Sequence, residues 1–266
     1  AYVINYDNLL RQLDELTKGM QCSADEVEDL SNMQVRVFAD KDKNFSEHRT
    51  DFDFIEHDYD QIAFTFHATA SKLQRNHAYQ TFFNNQIFAI MPIDHSKNTF
   101  TVVWSIPKDF ATEEYVRDNI DRLGQQLNTD IAISGEILVF ELSSSRAKEY
   151  CIPGKCLIAD SAHSFHPLAG QGLNLGIADI DVLVDEFKKA KSQGRSLGDI
   201  KVLKKYEVRR KILNEAMLNG VNFLNHLFHS ENIYTKLFRN RGLRLVNKIP
   251  VIKNLLIKNA VGKIKI

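Results

Sequence analysis

The sequence predicts an α/β protein, of the α+β kind over this chain, in which a mostly antiparallel sheet is followed by helices. Apolar residues alternate with period two in several segments of the first half, as in half-buried strands. Apolar residues at helical spacing dominate the second half. Between the two halves, a short apolar strand leads through a glycine-containing loop into a helix, which is the local order of an α/β unit.

The composition is that of a globular protein. Hydrophobic residues make up 44% and charged residues 26% of the 266 positions. Lys plus Arg and Asp plus Glu both number 34, so the chain lacks an overall basic footprint for nucleic acid. No apolar run approaches the roughly 18 residues of a spanning helix, and the N-terminus shows no signal-peptide pattern. With only three cysteines, we expect a reducing compartment and a cytoplasmic protein.

Charge is distributed unevenly along the chain. Residues 1–60 carry 15 acidic and 6 basic side chains, whereas residues 201–266 carry 15 basic and 3 acidic ones. Such a gradient is typical of an interaction surface at one end, and equally of a pair of solvated faces. Within the basic end, residues 241–258 interleave apolar and basic side chains. This pattern suits peripheral contact with an anionic inner membrane, or a core-packing helix with a solvated basic face.

The first half is predicted to contain one helix, a sheet and a second helix. Leucines at helical spacing predict a helix over residues 7–18. Residues 20–60 are polar and poorly patterned, so we expect loops with short strands there. Strands are predicted at 61–70, 82–92, 99–106 and 136–142, and a helix at 112–126. Trp104 alternates with Val102 in one strand, which predicts a core position for the indole.

The second half is predicted to be mainly helical. A short buried strand at 156–159 precedes a loop and then a helix from about 172 to 191. That helix carries a largely apolar stripe, formed by Asn174, Ile177, Ile180, Leu183, Val184 and Phe187. Helices should fill most of 199–266, with breaks near Gly220 and Pro250.

The loop between that strand and that helix carries the chemistry. Asp160 stands at the carboxyl end of the strand, where α/β sheets face their ligand crevice, and its carboxylate can accept hydrogen bonds from ligand hydroxyls. Gly170 and Gly172 permit positive φ and close approach of a flat ligand. The start of the helix then presents N–H groups and about half a positive charge, which suits an electron-rich carbonyl or an anionic ring. Two glycines alone would equally suit packing, whereas Asp, Pro, Gly-Gln-Gly and Asn at these spacings favour a ligand.

From Ala159 to Gly176 the sequence resembles the second FAD-binding motif of the aromatic-ring flavin monooxygenases, which are similar to para-hydroxybenzoate hydroxylase. Within them it is most similar to the ubiquinone-biosynthesis hydroxylases. That family reads Gly-Asp-Ala-Ala-His and later Pro-Leu-Ala-Gly-Gln-Gly-x-Asn-x-Gly. This chain has Ala159 in place of the first glycine and Ser161 in place of the first alanine. Further matches within roughly residues 59–260 are Tyr59, Gln61, the strands around Phe88 and Trp104, and Tyr206, Arg209 and Arg210 on a late helix.

The resemblance implies a set of cofactor-binding residues, namely Asp160, Pro167, Gly170, Gln171, Gly172, Leu173 and Asn174. Asp160 would bind the ribityl chain or the pyrophosphate side of FAD. Gly170 to Leu173 would pass near the isoalloxazine, and Asn174 would cap or orient the start of the helix. The implied reaction hydroxylates an aromatic ring of a polyprenylated ubiquinone precursor with O₂ and NADPH or NADH, within a possible ubiquinone-biosynthesis complex. Because the flavin carries such chemistry, no catalytic side chain is assigned.

Two other nucleotide motifs of the family are absent or altered. The chain has no βαβ unit with GxGxxG, and Lys41 stands where a second motif has glycine after Asp40. We therefore expect a partial FAD-binding Rossmann-like domain, an antiparallel-sheet substrate domain and C-terminal helices, with weak or absent binding of FAD. The predicted parts are a remnant of the FAD-binding domain at 1–60, the sheet domain at 61–150, the FAD-motif segment at 151–195 and a helical region at 196–266.

Two interpretations of the function stay open. The retained Gly-Gln-Gly-x-Asn favours an FAD-dependent aromatic hydroxylase, whereas the absent GxGxxG favours a non-catalytic flavin-fold remnant that acts as a scaffold in quinone biosynthesis. The pair His163 and His166 has the spacing of metal ligands, but the sequence places no further ligand beside it, and no metal site is predicted. Cys151 and Cys156 are predicted to be structural thiols.

Overall fold

The computed structural model describes residues 6–20, 34–41, 43–94, 98–166, 170, 172–229 and 249–250. The described residues form two compact units. The first unit takes its residues from 1–30 and 60–142, and the second from 31–59 and 143–266. The division into four parts that we predicted from the sequence stays a prediction.

Helices and strands alternate along the described chain, as expected for the α/β class. In the first half they are α1 (Tyr6–Thr17), β1 (Arg36–Phe38), α2 (Lys43–His48), β2 (Phe54–Ala70), β3 (Tyr79–Phe83), β4 (Gln86–Asp94), β5 (Thr99–Pro107) and α3 (Glu113–Gln126). In the second half they are β6 (Ile131–Ala147), β7 (Cys151–Ile152), β8 (Lys155–Leu157), α4 (Ala159–Ala162), β9 (His163–Ser164), α5 (Gly172–Ser192) and α6 (Ile200–His229). Two short 3₁₀ turns lie at Arg49–Asp51 and Lys108–Phe110.

The sheet of the first unit has the strand order β3-β4-β5-β2-β6. The pairs β3/β4, β4/β5 and β2/β5 are antiparallel, which confirms the predicted antiparallel sheet. Trp104 on β5 lies opposite Phe64 on β2 and Phe88 on β4, so three aromatic side chains meet in the middle of the sheet.

Period-two alternation places one face of this sheet in the core. The buried side chains include Phe64, Phe66, Ala68, Phe88, Ile90, Phe100, Val102, Trp104 and Ile106, and α3 covers them with Val116, Ile120 and Leu123. The Oγ1 of Thr112 caps α3 by accepting a 3.0 Å hydrogen bond from the Tyr115 N–H. Trp104 is fully buried, as predicted, and its Nε1 donates to Gln86 Oε1 at 2.9 Å.

The prediction of one strand over 82–92 is wrong, because two strands lie there. β3 and β4 form a hairpin that turns at Asn84 and Asn85, whose φ angles are 45° and 59°. A two-residue turn with both φ angles positive matches the twist of the flanking strands, and asparagine tolerates that conformation better than most residues.

The second unit contains a small sheet with the order β1-β8-β7. β1 and β8 are parallel, and β8 turns back to β7 in a hairpin that pairs Cys151 with Cys156. Both thiols are buried and their Sγ atoms lie 3.3 Å apart, in agreement with a structural role. For residues 20–60 we expected loops with short strands: β1 confirms the strand, whereas α2 and the early start of β2 at Phe54 were not predicted.

Helix α5 has the predicted bounds but does not bury the predicted apolar stripe. Ile177, Ile180 and Val184 are exposed, and the buried face carries Gly176, Asp179, Leu183, Glu186 and Ala190. The reason is electrostatic, because the two acidic side chains of this face bind arginines of α6. Arg210 Nε lies 2.6 Å from Asp179 Oδ1, and Arg209 NH1 lies 2.6 Å from Glu186 Oε1.

Helix α6 runs without interruption for 30 residues and passes through Gly220, so the predicted break at this glycine is wrong. Glycine costs a helix interior only about 1 kcal/mol. The buried neighbours Leu218 and Val221 offset that cost by packing. Most of the residues after His229, including the basic segment 241–248 and 251–258, lie outside the described residues.

Candidate cofactor-binding site

The candidate site begins with a tight turn after β8. The strand ends at Leu157, and α4 follows, so Asp160 lies in a helical turn and not at the end of a strand running to 159 as predicted. The turn is tied to β1 by two hydrogen bonds to the Phe38 carbonyl, from Ile158 N–H at 2.9 Å and from Ser161 Oγ at 2.6 Å. Ser161, which stands where the family has alanine, thus anchors the turn to the neighbouring strand.

An open cavity of about 260 Å³ lies beside this turn. Its lining comprises Asp160, Ser164, Phe165, His166, Gly170, Gly172, Leu173, Leu175, Met217 and Val221. The structure therefore brings together four of the seven predicted cofactor-binding residues. Pro167 and Gln171 lie outside the described residues. Asn174 is exposed in the first turn of α5, and its predicted role in capping or orienting the start of this helix stays a prediction.

The two glycines of the cavity leave its wall open. A Cβ added to Gly170 or to Gly172 would meet no atom within 4 Å. Gly170 has a φ of +57°, in the left-handed region that favours glycine, whereas Gly172 is the first residue of α5. The backbone conformation therefore favours glycine at Gly170, whereas at Gly172 the absence of a side chain leaves space free.

The cavity fits one part of FAD. Pockets that enclose a whole ligand of drug size measure about 300–1,000 Å³, so a cavity of about 260 Å³ accommodates a ring system and not the complete dinucleotide. Its lining suits a flavin ring. Leu173 is exposed and can pack on the ring face, Gly170 and Gly172 present backbone without side chains, and the N-terminus of a 21-residue helix lies beside them. The Asp160 carboxylate supplies an acceptor for hydroxyl groups.

Desolvation and neighbouring charges shift the pKa values of two side chains at or beside the cavity. Partial desolvation, and next the Asp40 carboxylate, raise the pKa of Asp160. Desolvation, and next repulsion from Arg49, lower the pKa of Lys41 although Asp160 attracts its charge. The Lys41 Nζ donates to Ser164 Oγ, 3.1 Å away on the cavity wall. The lysine that replaces the family's glycine thus places a cation beside the cavity.

A buried carboxylate behind the turn was missed in the sequence. Asp179 Oδ2 accepts from Ala159 N–H at 2.9 Å and lies 2.7 Å from His163 Nε2, while Asp179 Oδ1 accepts from Arg210 Nε at 2.6 Å. His163, considered above as a metal ligand, uses its Nε2 for this carboxylate. The available signal was the spacing of Asp179 and Glu186, seven residues apart and hence on one face of α5.

Two other residues that matched the family, Tyr206 on α6 and Tyr59 on β2, have structural contacts. The buried Tyr206 donates its hydroxyl to the Leu157 carbonyl at 3.0 Å and so joins α6 to β8. Tyr59 donates to Asn222 Oδ1 at 2.7 Å, and its ring stands edge-on to His166, with 4.8 Å between the centroids. Tyr206 and Tyr59 thus support the cavity indirectly, because their contacts hold in place the elements from which the cavity and its turn are formed.

Comparison with known proteins agrees with this fold. The model of the FAD binding domain family matches residues 39–220. The chain is 37% identical to the 3-demethoxyubiquinol 3-hydroxylase of Escherichia coli over 46% of this chain and 32% of that enzyme. It is 26% identical to a ubiquinone hydroxylase of Neisseria meningitidis over 98% of this chain and 59% of that protein. Among solved structures, p-nitrophenol 4-monooxygenase of Pseudomonas putida superposes with a TM-score of 0.66, at 15% identity, over 84% of this chain and 58% of that one.

An α/β fold with a glycine-lined cavity at a helix N-terminus defines a flavin-type binding domain, and the chain belongs to the FAD binding domain family. The aromatic-monooxygenase resemblance read from the sequence is thereby confirmed. The chain matches 32% of the length of the Escherichia coli enzyme and 59% of the length of the Neisseria meningitidis protein. No helix among the described residues is long and apolar enough to cross a membrane.

Proposed function

We propose that the chain is part of an FAD-dependent monooxygenase that hydroxylates an aromatic ring of a ubiquinone precursor. The observation that carries the proposal is the cavity that unites Asp160, Gly170, Gly172 and Leu173 at the start of α5. The similarity to two ubiquinone hydroxylases supports the substrate class, a phenol-type ring with a polyprenyl chain. Neither the described residues nor the comparisons favour the alternative of a non-catalytic scaffold.

Each cavity residue would have a separate task toward the cofactor. Asp160 would accept hydrogen bonds from hydroxyl groups of the ribityl chain or from the pyrophosphate side. Gly170 and Gly172 would admit the ring edge to the backbone, and Leu173 would pack on the ring face. The N-terminus of α5 would stabilise negative charge on the ring by about 0.3–1 kcal/mol. When bound, FAD would supply the O₂ activation and the oxygen transfer, with NADPH or NADH as the source of electrons.

The protein's other contribution would be to shape the substrate site, and we assign no catalytic side chain. Peripheral contact with the inner membrane through the basic C-terminal region, a cytoplasmic location and membership of a ubiquinone-biosynthesis complex complete the proposal. The charge pattern of residues 241–258 supports the membrane contact.

The test is genetic complementation. The gene that encodes the chain is expressed in bacterial strains that each lack one ubiquinone hydroxylase, and ubiquinone and its unhydroxylated precursors are measured by mass spectrometry. We expect ubiquinone to return in one strain and the corresponding precursor to disappear. The matched control carries Gly172→Val, which fills the cavity wall and should abolish the rescue at equal protein levels. Expression of folded protein without hydroxylated product in any strain would refute the proposal.

A further inference from the structure

Asp179 is a buried carboxylate that has hydrogen-bond partners on four different residues. It is 0% exposed, and each of its oxygens has two partners. Oδ2 binds Ala159 N–H and His163 Nε2, and Oδ1 binds Arg210 Nε and, at 3.2 Å, Asn214 Nδ2. Because an ionised carboxylate only accepts, His163 carries its proton on Nε2. Burial raises the pKa of Asp179, but the hydrogen bonds from His163 and Arg210 outweigh burial and lower it.

Stability alone is a weak reason for such an arrangement. Burying an aspartate and an arginine together costs desolvation energy that their attraction repays only in part, and apolar side chains of similar volume are often as stabilising. The side chain of Arg210 is only 6% exposed, so this cost applies to both partners. A buried ion pair is therefore better explained by the geometry that it imposes on its neighbours.

The geometry that Asp179 imposes is that of the turn before the cavity. Ala159 has a φ of +49°, an unfavourable conformation for a residue with a Cβ. Asp179 holds the N–H of this residue from one side and the next strand, through His163, from the other. Asp160 is the residue that follows Ala159, so its direction into the cavity depends on the left-handed backbone that Asp179 stabilises.

Helix α5 fixes the same turn by contact. Gly176 lies one helical turn before Asp179 on the buried face, and Ala159 Cβ occupies the space that a side chain at Gly176 would take. The helix therefore holds the turn by close packing at Gly176 and by hydrogen bonds at Asp179. The N-terminus of this same helix lines the cavity, so one element sets both the helix end and the carboxylate.

We propose that Asp179 is a positioning residue for the cofactor cavity, which orients Asp160 through the Ala159 N–H and the His163 imidazole. The inference rests on the proposed function for the identity of the ligand, but the orientation of the turn is a property of the free protein.

The test compares Asp179→Asn with Glu207→Gln as a matched control. Glu207 is a second buried carboxylate of the same unit, whose Oε2 accepts from Tyr150 N–H and Cys151 N–H at 2.9 Å and therefore bonds outside residues 159–162. Amide hydrogen exchange in residues 159–162 is measured without ligand, at the same interval below each variant's Tm. Affinity for added FAD is then measured by flavin fluorescence.

We expect both variants to lower Tm, and only Asp179→Asn to speed exchange in the turn, by tenfold or more, and to weaken FAD binding by a similar factor. If Asp179→Asn does not fold, Asp179→Glu replaces it, since that change keeps the charge for Arg210 and displaces the acceptor from Ala159. Equal exchange in the Asp179 variant and the Glu207 control would overturn the positioning role. Faster exchange confined to the Asp179 variant would support the positioning role even where the gene restores ubiquinone in no strain, a result that counts against the proposed function alone.

Discussion

Ala159 and Gly176 form a contact in which only one of the two residues has room for a side chain. A Cβ built on Gly176 would lie 2.8 Å from the Cβ of Ala159. The family's usual glycine at the position of Ala159 has been replaced, and the helix accommodates the added methyl group through its own glycine. The methyl group of Ala159 thus fills the contact between the cofactor turn and α5 at this point.

We predict that Gly176→Ala lowers the free energy of unfolding by about 1–3 kcal/mol, because the new methyl group overpacks the contact with Ala159. Chemical denaturation followed by circular dichroism measures the change. Gly220→Ala is the matched control, since an added Cβ there meets no atom within 4 Å and alanine favours the helix by about 0.5–1 kcal/mol.

Combining Gly176→Ala with Ala159→Gly tests the pair itself. The double variant moves the methyl group from the turn to the helix and should recover most of the stability lost in Gly176→Ala. Additive effects of the two changes would show that the contact does not cause the loss.

Gly172→Val should abolish flavin binding and leave folding nearly unaffected. A Cβ added at this position meets no protein atom within 4 Å, so the branched side chain is expected to extend into the space proposed for the ring. Because the obstruction is steric, excess FAD should not restore binding. A FAD titration monitored by fluorescence measures the effect, and the Tm of the variant shows whether the fold survives. Normal affinity in this variant would contradict the assignment of the flavin loop.

We predict that the affinity for FAD depends on pH through the ionisation of Asp160. The ionised carboxylate accepts hydrogen bonds from ligand hydroxyls, so affinity should fall as the pH drops through the pKa of Asp160. Since desolvation and Asp40 raise this pKa above the ordinary 3.8, the loss should begin at a higher pH than for an unperturbed aspartate. Asp160→Asn should weaken binding by about 1–3 kcal/mol at neutral pH, and the variant's affinity should be flat across the same acidic range. Parallel pH profiles for the two proteins would rule this role out.

Gln86→Leu should destabilise the first unit by about 1–3 kcal/mol. Gln86 Oε1 accepts from the buried Trp104 Nε1, and its Nε2 donates to the Tyr115 hydroxyl at 2.8 Å. A leucine leaves the indole N–H without its acceptor in a core that excludes water. Because Trp104 is the one tryptophan of the chain, its fluorescence reports the unfolding of this unit directly. The control, Gln125→Leu on the exposed side of α3, should change stability by less than about 0.5 kcal/mol.

The isolated chain of 266 residues should retain little FAD through purification. The cavity of about 260 Å³ contacts one part of the dinucleotide, and the sequence has no GxGxxG loop for the pyrophosphate. The absorption spectrum of the purified protein, compared with its concentration, measures the bound flavin. A stoichiometric yellow preparation would contradict this expectation.

Local patterns predicted most of the first unit and the outline of the site. Alternation at Phe64, Phe66 and Ala68 reports which side of a strand is buried, and the glycine motif reports where a ligand approaches. The prediction that α5 buries its apolar stripe is wrong, because hydrophobic periodicity assumes that the apolar residues of a helix form its buried face. Here Asp179 and Glu186 occupy the buried face, because they bind Arg210 and Arg209, which lie 31 and 23 residues later in the chain. The seven-residue spacing of the two acids was the only local sign of this face, and the arginines that bind them cannot be identified from it. The Asn84–Asn85 turn, in contrast, is visible in the local sequence.

The two buried thiols of the hairpin that pairs Cys151 with Cys156 can serve as a chemical probe of local opening in the second unit. Burial, and next the neighbouring Cys151 thiol, raise the pKa of Cys156 well above its ordinary 9.0, so the reactive thiolate is scarce while the unit is closed. A thiol reagent can modify this pair only when β7 separates from β8 and α6. The rate of paired labelling would therefore measure how often the flavin-turn unit opens, at a place that no ligand needs to touch.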